Sequence, residues 1–115
     1  MKIVKDKITI TELKEICKSG LFIEVVKAVV DVEKELMAID AEMHADLMGL
    51  LMEQENSHHQ NLWGVNLYPN ELGEKFIMFT SYINIKPSLG NKSTEINDSS
   101  IREKITAIIN KFIQK

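Results

Sequence analysis

A run of β-branched residues constrains the fold of this chain more than any other feature. The segment Val25-Val26-Lys27-Ala28-Val29-Val30-Asp31-Val32 has the composition of a strand, and Leu36-Met37-Ala38-Ile39 follows a charged break at Glu33-Lys34. We therefore predict a β-hairpin over residues 24–42. A two-residue loop would pair Val30 with Met37 and Ala28 with Ile39. Because Glu-Lys is poor chemistry for a type I′ turn, a longer loop is also open.

That register would give the hairpin two different faces, because successive side chains of a strand point to opposite sides. One face is apolar and is formed by Val26, Ala28, Val30, Met37 and Ile39. The other face would pair Lys27 with Asp40 and would carry Asp31 and Glu42. It is only half polar, since it also carries Val25, Val29 and Leu36.

Helical periodicity predicts three helices. The first covers residues 12–19, with Thr9 or Thr11 as N-cap and Gly20 as its stop. The second covers residues 46–55 and would be capped by Asp46. The third opens with the capping box Ser100-x-x-Glu103. Its apolar stripe consists of Ile101, Ile105, Ile108, Ile109 and Phe112.

Three further segments read as strands: residues 2–5, residues 62–68 and residues 76–86. Pro69 and Pro87 end the last two, and 76–86 is the longest candidate. The order is β-α-β-β-α-β-β-α. We expect one α+β domain over residues 1–115, with an antiparallel or mixed sheet and helices packed on one side of it.

Composition excludes several classes of protein. The 115 residues are 44% hydrophobic and 27% charged, which is typical of a globular domain. One cysteine, Cys17, excludes a disulfide-stapled fold. No apolar run reaches the roughly 18 residues of a membrane span, and the N-terminus lacks a signal-peptide pattern. We therefore expect a cytoplasmic protein without a membrane partner.

Charge is distributed unevenly along the chain. Residues 1–74 hold seven lysines against fourteen acids, and residues 75–115 hold seven basic residues against three acids, within a net charge of −3. Opposite halves could meet in a homo-oligomer, although an ordinary solvated surface is the preferred interpretation. The acidic total makes nucleic acid an unexpected partner.

The segment Asp40-Ala41-Glu42-Met43-His44-Ala45-Asp46 is the most unusual local feature. In an extended strand, Asp40, Glu42, His44 and Asp46 would line one face, because residues two apart point the same way. Glu42, His44 and Asp46 are therefore candidate ligands for a divalent metal, the one candidate cofactor. The competing and preferred interpretation is structural: a wet hairpin face, a helix cap at Asp46 and a turn residue at His44. We interpret the nearby His58-His59 pair as exposed to solvent.

A second polar set lies on the two later strands. Its members combine amide and aromatic chemistry, which can form a small-ligand pocket. The candidate ligand-binding residues are Trp63, Asn66, Tyr68, Asn84, Lys86 and Asn91. In the alternative, which is preferred, Asn66 and Asn84 bond to backbone and the aromatic side chains belong to the core.

Known catalytic motifs are missing from the sequence, including phosphate-binding glycine loops, G-x-S-x-G and H-E-x-x-H. Four segments nevertheless form a pattern, and they are Val26–Glu33, Glu42–Asp46, Asn61–Pro69 and Ile83–Pro87 with Gly90-Asn91. This pattern resembles a small prokaryotic family known only as a domain of unknown function. The positions that match are Glu42, His44, Asp46, Trp63, Asn66, Tyr68, Asn84, Lys86 and Asn91.

The resemblance implies a prokaryotic intracellular protein and carries no activity with it. The chain departs from the family pattern in three places: it lacks the Gly-containing turn at Lys34-Glu35, it has Met43 in place of Leu, and it has Lys86 in place of Arg. The last departure matters for a planar anion, because Lys lacks the bidentate fork of Arg.

Three functions compete on this basis. The first is a non-enzymatic binding or interaction module that self-associates and takes an unknown small ligand. The second is a metal-dependent hydrolase, with Glu42, His44 and Asp46 as ligands or base and Lys86 near a developing anion. The third is a small toxin-like ribonuclease. Its basic groups would be Lys86, Lys92, Arg102 and Lys104, and its net acidity weighs against it.

Overall fold

The computed structural model describes residues 1–20 and 24–114 as an α+β domain. Seven strands and three α-helices alternate along these residues. In chain order they are β1 (Lys2–Val4), β2 (Ile8–Thr9), α1 (Ile10–Ser19), β3 (Val26–Asp31), β4 (Leu36–Ile39), α2 (His44–Glu55), β5 (Leu62–Leu67), β6 (Ile77–Met78), α3 (Ser99–Phe112) and β7 (Ile113–Gln114). Short 3-10 turns cover His59–Asn61, Gly73–Lys75, Tyr82–Asn84 and Pro87–Leu89.

The main sheet is antiparallel throughout and has the strand order β1-β4-β3-β5-β6. The β3–β4 hairpin has the predicted register, with Ala28 opposite Ile39 and Val30 opposite Met37. Strand β3 lies at the centre, and five of its six residues are buried. The hairpin therefore supplies two of the three inner strands of the sheet.

Asp31 explains why the hairpin tolerates a loop without glycine. Pairing stops at Asp31 and Leu36, so the loop has four residues. This is the longer of the two loops that the sequence left open. Both Glu33 N–H and Lys34 N–H donate to Asp31 Oδ1 at 2.9 Å. The sequence placed Asp31 on the half-polar face of the hairpin. In the structure its side chain is buried, so it is not exposed to solvent.

Helices cover both faces of the sheet, which corrects the expectation that they pack on one side. On one face, α1 and α3 contribute Leu13, Cys17, Ile105, Ile109 and Phe112 to a core with alternate residues of β3 and β5. On the other face, α2 packs Leu47 and Leu51 against Val29, Ala38 and Leu62. The apolar residues on the second hairpin face, which the alternation left unexplained, are the ones that α2 covers.

The N-cap of α1 agrees with prediction, and the N-cap of α3 does not. Thr9 caps α1 as expected and forms a capping box with Glu12. In α3 the cap is Asp98 rather than Ser100, because Asp98 Oδ1 accepts hydrogen bonds from Ser100 N–H and Ile101 N–H. The predicted apolar stripe of α3 is confirmed, since four of its five residues are buried and Ile101 packs against the core.

The prediction of a long strand over residues 76–86 is wrong. Only Ile77–Met78 pairs with β5, and the chain then turns into a 3-10 segment at Tyr82–Asn84. Ser81 accepts a hydrogen bond from Ile83 N–H and so starts this turn. In this segment the side chain of Asn84 bonds across to Gly64 of β5, a contact that local periodicity cannot reveal.

A second, two-stranded sheet joins distant parts of the chain. Strand β7 pairs in parallel with β2, with Ile8 opposite Ile113 and Thr9 opposite Gln114. Among the described residues, no helix is both long and apolar enough to span a bilayer.

Candidate functional site

The candidate metal segment is not an extended strand, which corrects the predicted line of four ligands. Strand β4 ends at Ile39, Asp40 adopts a left-handed conformation (φ 73°), and α2 begins at His44. Asp46 is exposed in the first turn of α2 and does not cap it, because Met43 occupies the N-cap position. Within residues 1–20 and 24–114, no three His, Cys, Asp or Glu side chains are placed to share a metal ion.

Part of this segment instead lines a cleft of about 430 Å³. The cleft lies between the start of α2 and the segment that follows β6. Glu42, His44 and Asn66 all face it, so it joins one part of each polar set that the sequence indicated. Its remaining lining comes from Lys27, Met43, Ala45, Thr80, Ser81, Tyr82, Ile83 and Thr94.

His44 is the most constrained polar side chain of the cleft. Only 8% of it is exposed, and its Nε2 lies 2.8 Å from the carbonyl oxygen of Val65. A carbonyl oxygen can only accept, so Nε2 carries the proton and Nδ1 of the neutral ring keeps its lone pair. Burial lowers the pKa of His44, and the charge of Lys27 lowers it further, whereas the bond to Val65 raises it. The net lowering of the pKa favours the neutral ring.

The other edge of the His44 ring faces away from β5. A Cβ placed on Gly64 would lie 3.1 Å from His44 Cδ2 and 2.7 Å from Ser81 Oγ, so both side chains pack directly over Gly64. Nδ1 lies across the ring from Cδ2 and has no hydrogen-bond partner among the described residues. Every buried side-chain nitrogen and oxygen of these residues does have a partner, so Nδ1 is not a buried atom. Nδ1 is therefore reached by solvent, from the cleft that His44 lines.

Asn66 presents a second acceptor to the cleft. Its Nδ2 donates to the carbonyl oxygen of Thr80 at 3.0 Å, which fixes the orientation of the amide. Oδ1 consequently points away from Thr80, and it accepts no hydrogen bond from the described part of the chain. The preferred sequence interpretation, an amide bonded to backbone, thus accounts for one half of this side chain.

Charged and apolar groups complete the rim of the cleft. Lys27 is half-buried on β3, and Glu42 is exposed beside it in the turn that precedes α2. Tyr82 is 85% exposed and Met43 is 61% exposed, which is unusual for side chains of this size. The cleft therefore combines one positive charge, one negative charge and an accessible aromatic ring.

Asn84 and Asn91, two of the predicted ligand residues, lie inside the protein and bond to backbone. Asn84 is fully buried; its Oδ1 accepts from Gly64 N–H at 2.8 Å, and its Nδ2 donates to the carbonyl oxygens of Gly64 (3.0 Å) and Thr94 (3.1 Å). Asn91 Nδ2 lies 2.8 Å from the carbonyl oxygens of both Asn84 and Glu95. Asn84 therefore binds the loop over residues 80–97 to strand β5, and Asn91 holds the two ends of that loop together.

Lys86, Trp63 and Tyr68 also lie outside the cleft lining. Lys86 Nζ donates to the carbonyl oxygens of His59 (2.8 Å) and Ile83 (3.1 Å) and lies 5.1 Å from the centre of the Trp63 ring. Burial lowers the pKa of Lys86. Trp63 is a core residue, and Tyr68 is half-buried at the end of β5. Lys86 is thus engaged by backbone and does not face the His44 cleft.

Sequence reasoning missed Lys27, Ser81 and Tyr82 as members of the site. Lys27 appeared only as a partner of Asp40 in the hairpin, and Tyr82 only as one residue of a strand face. No local pattern marked them, because they meet His44 only after α2 folds across the sheet. The exposed pair His58-His59, by contrast, is confirmed as exposed.

Comparison with known proteins gives one match. No curated protein and no solved structure matches the chain. A family model matches residues 2–112, which is nearly the whole chain. The chain therefore belongs to the family described as "Protein of unknown function (DUF5674)".

Proposed function

We propose that the protein is a small non-enzymatic binding module that takes a small polar ligand in the cleft between α2 and the segment after β6. The observation that supports this most strongly is the ring of His44. It is held by Val65 in a single tautomer, and its remaining nitrogen opens into the cleft. A buried polar group held rigid by its surroundings is what a binding site needs to orient a ligand.

The size and lining of the cleft fit this role. A volume of about 430 Å³ falls in the range of small-molecule sites, roughly 300–1,000 Å³. A few polar groups stand among apolar side chains such as Met43 and Ile83. Within residues 1–20 and 24–114, no nucleophile is hydrogen-bonded to His44: Ser81 Oγ accepts a hydrogen bond from Ile83 N–H and has no bond to the ring.

Heteronuclear NMR tests the proposal with four probes of different chemistry: adenine, inorganic phosphate, agmatine and ribose. At least one of them should shift the amides of residues 44–46, 66 and 80–82 in a saturable way. If all four leave these amides unchanged at millimolar concentration, the proposed function is wrong.

A variant that fills the cleft separates this binding from surface effects. Ala45 lines the cleft on the exposed side of α2, so Ala45→Phe should remove the shifts without disturbing the core. Gln54→Phe is the matched control, because Gln54 is exposed on the same helix outside the cleft. Equal binding by both variants would contradict the assignment to this cleft.

We further propose that the module self-associates, as the exposed apolar side chains Met43, Leu72, Met78 and Tyr82 suggest. The charge asymmetry supports this less than the sequence implied, because Lys111 forms an ion pair with Glu35 inside one chain at 3.5 Å. Light scattering at micromolar concentration tests the proposal. A mass that stays at 13.1 kDa would contradict it.

A further inference from the structure

The cleft lies where α2 leaves part of its sheet face uncovered. Helix α2 begins at His44, whose ring packs over Gly64, and the next row of that face lies beyond the start of the helix. In this row Asn66 lies opposite Met78, and residues directly opposite each other point to the same side of a sheet. Asn66 therefore forms the floor of a recess, and Met78 lies at its edge.

Large apolar side chains surround this recess. Met43 is 61% exposed at the start of α2, Tyr82 is 85% exposed across the cleft from it, and Met78 is 46% exposed. Methionine and tyrosine are enriched in the buried centres of protein–protein interfaces, and methionine adapts its shape to the partner that it meets. A small molecule inside the recess would leave most of the Tyr82 ring in water, so the rim fits a protein partner.

The surface is complementary to itself. It combines a recess of about 430 Å³ with an exposed ring, Tyr82, directly beside it. In a dimer about a two-fold axis, each copy can insert its ring into the recess of the other, and the contact then closes with no site left open. The recess has room for the ring, since cavities of about 300–1,000 Å³ hold whole small molecules. A second copy of the chain therefore supplies everything that the contact requires.

The area that this contact would bury is sufficient for a weak dimer. One tyrosine side chain buries about 150–250 Å². Two inserted rings therefore bury about 300–500 Å², and the walls that receive them lose a similar area. With Met43 and Met78 of both copies added, the total reaches about 1,000 Å², the lower limit for a specific interface.

His44 can orient the inserted ring. Its Nδ1 carries a lone pair that solvent reaches from the cleft, and a phenol O–H can donate to that atom in place of water. Because this exchanges one hydrogen bond for another, it fixes the direction of the ring and adds little affinity. The affinity comes from the apolar surface that is removed from water.

We propose that two copies of the chain associate by inserting Tyr82 of each into the His44 cleft of the other, so that self-association closes the ligand-binding cleft. This inference rests on the self-association and the binding cleft proposed above. A small ligand and a second copy are then alternatives at one site, and the monomer is the form that binds ligand.

The first test measures the dimer dissociation constant by light scattering over a range of concentrations. Tyr82→Ala should raise this constant by at least about tenfold, as expected for a central aromatic side chain of an interface. The Tyr82 side chain is mostly exposed, so the fold should survive its removal. Leu72→Ala is the matched control, because Leu72 is 82% exposed and lies outside the cleft.

The second test mixes two variants that cannot dimerise alone. Tyr82→Ala lacks the ring, and Ala45→Phe has a filled recess. A mixed dimer keeps one of the two contacts, because the ring of the second variant enters the open recess of the first. Isotope-labelled Tyr82→Ala should therefore show saturable amide shifts at residues 44–46 and 66 when unlabelled Ala45→Phe is added. Unlabelled Tyr82→Ala should cause none. Equal shifts with both additions, or none with either, would overturn the inference.

The remaining outcomes separate this inference from the proposals on which it rests. Association that survives Tyr82→Ala and is lost in Leu72→Ala would overturn the Tyr82 contact and leave self-association standing. A mass of 13.1 kDa at every concentration would overturn both. Any of adenine, phosphate, agmatine and ribose that binds in the cleft should shift the wild-type protein towards the monomer. A probe that binds there and leaves the dimer unchanged would overturn the closure of the cleft.

Discussion

Replacing Asn84 by Asp should strongly destabilise the domain, although it only exchanges the side-chain NH2 group for an oxygen of similar size. The Asn84 amide completes the edge of β5: it accepts from the N–H of Gly64 and donates to the carbonyl oxygens of Gly64 and Thr94. Asn84→Asp keeps the shape and the first of these bonds. It replaces the donor Nδ2 by an oxygen that faces two carbonyl oxygens at 3.0 and 3.1 Å.

The magnitude follows from those two lost bonds. Each buried acceptor left without a donor costs about 1–3 kcal/mol. The new carboxylate is also taken out of water, which adds to this cost. We therefore expect the free energy of unfolding to fall by about 4 kcal/mol at pH 7. For comparison, a domain has a total stability of about 5–15 kcal/mol.

The effect should depend on pH in a defined direction. Burial and the two carbonyl oxygens favour the protonated acid, so the folded-state pKa of the new carboxyl group is raised above its unfolded value of about 3.9. A raised pKa means that stability is present at low pH and is lost as pH rises through the folded pKa. The difference between variant and wild type should thus be smaller at pH 4 than at pH 7.

Urea unfolding followed by the fluorescence of Trp63, the one tryptophan and a buried residue, measures this difference. Asn70→Asp is the control, since Asn70 is exposed and its exchange should change stability by less than about 0.5 kcal/mol. A loss below about 1 kcal/mol for Asn84→Asp, or a loss that grows towards low pH, would refute the reasoning.

Three further changes test other contacts. Gly64→Ala would place a Cβ 2.6 Å from Ser81 Cβ and should cost about 1–3 kcal/mol in urea unfolding, with partial recovery in the double variant with Ser81→Gly; an additive loss would contradict the clash. Because the pKa of His44 is lowered in the fold, stability should fall as pH drops below about 6.5, and His44→Gln should flatten this slope in thermal unfolding at pH 5 to 7. Asp31→Ala removes bonds from two backbone N–H groups and from the hydroxyl of Ser57 (2.6 Å), so thermal unfolding should show a loss of about 2–4 kcal/mol; an unchanged midpoint would contradict this role.

The hairpin and the last helix were predictable because their patterns are local. Alternation of apolar residues over 26–39 permits one register that buries a full face, and a shift of one residue would expose it. The same pattern showed apolar residues on the second face. Helices on both sides of the sheet explain why Val29 and Leu36 on this second face are apolar. The expected packing of helices on one side did not explain it.

The start of α2 and the strand over residues 76–86 were not predictable for a different reason. Asp46 is a good capping residue, yet α2 begins two residues earlier because His44 is drawn onto Val65 and its ring becomes buried. Residues 80–84 alternate like a strand, but hydrogen bonds to the side chains of Ser81 and Asn84 hold their backbone in a turn. Tertiary hydrogen bonds overrode local propensity in both places.

Three members of the candidate site were predictable from the sequence, but their grouping was not. Glu42, His44 and Asn66 were all selected from the sequence for their chemistry, but they were placed in two separate sets. Whether such sets meet depends on how α2 crosses the sheet, and a pattern of single residues does not contain that information. Asn84 and Lys86 lie in the interior instead, bonded to backbone groups.

The amide of Asn84 also has a consequence for association between copies of the chain. Strand β6 covers β5 only at Asn66 and Leu67, so the rest of that edge would present backbone N–H and C=O groups to any passing strand. At Gly64 both groups are already occupied by one side chain of the same molecule. Asn84 thereby prevents this edge from pairing with the sheet of another copy. We expect that a variant without this amide first becomes insoluble in the cell.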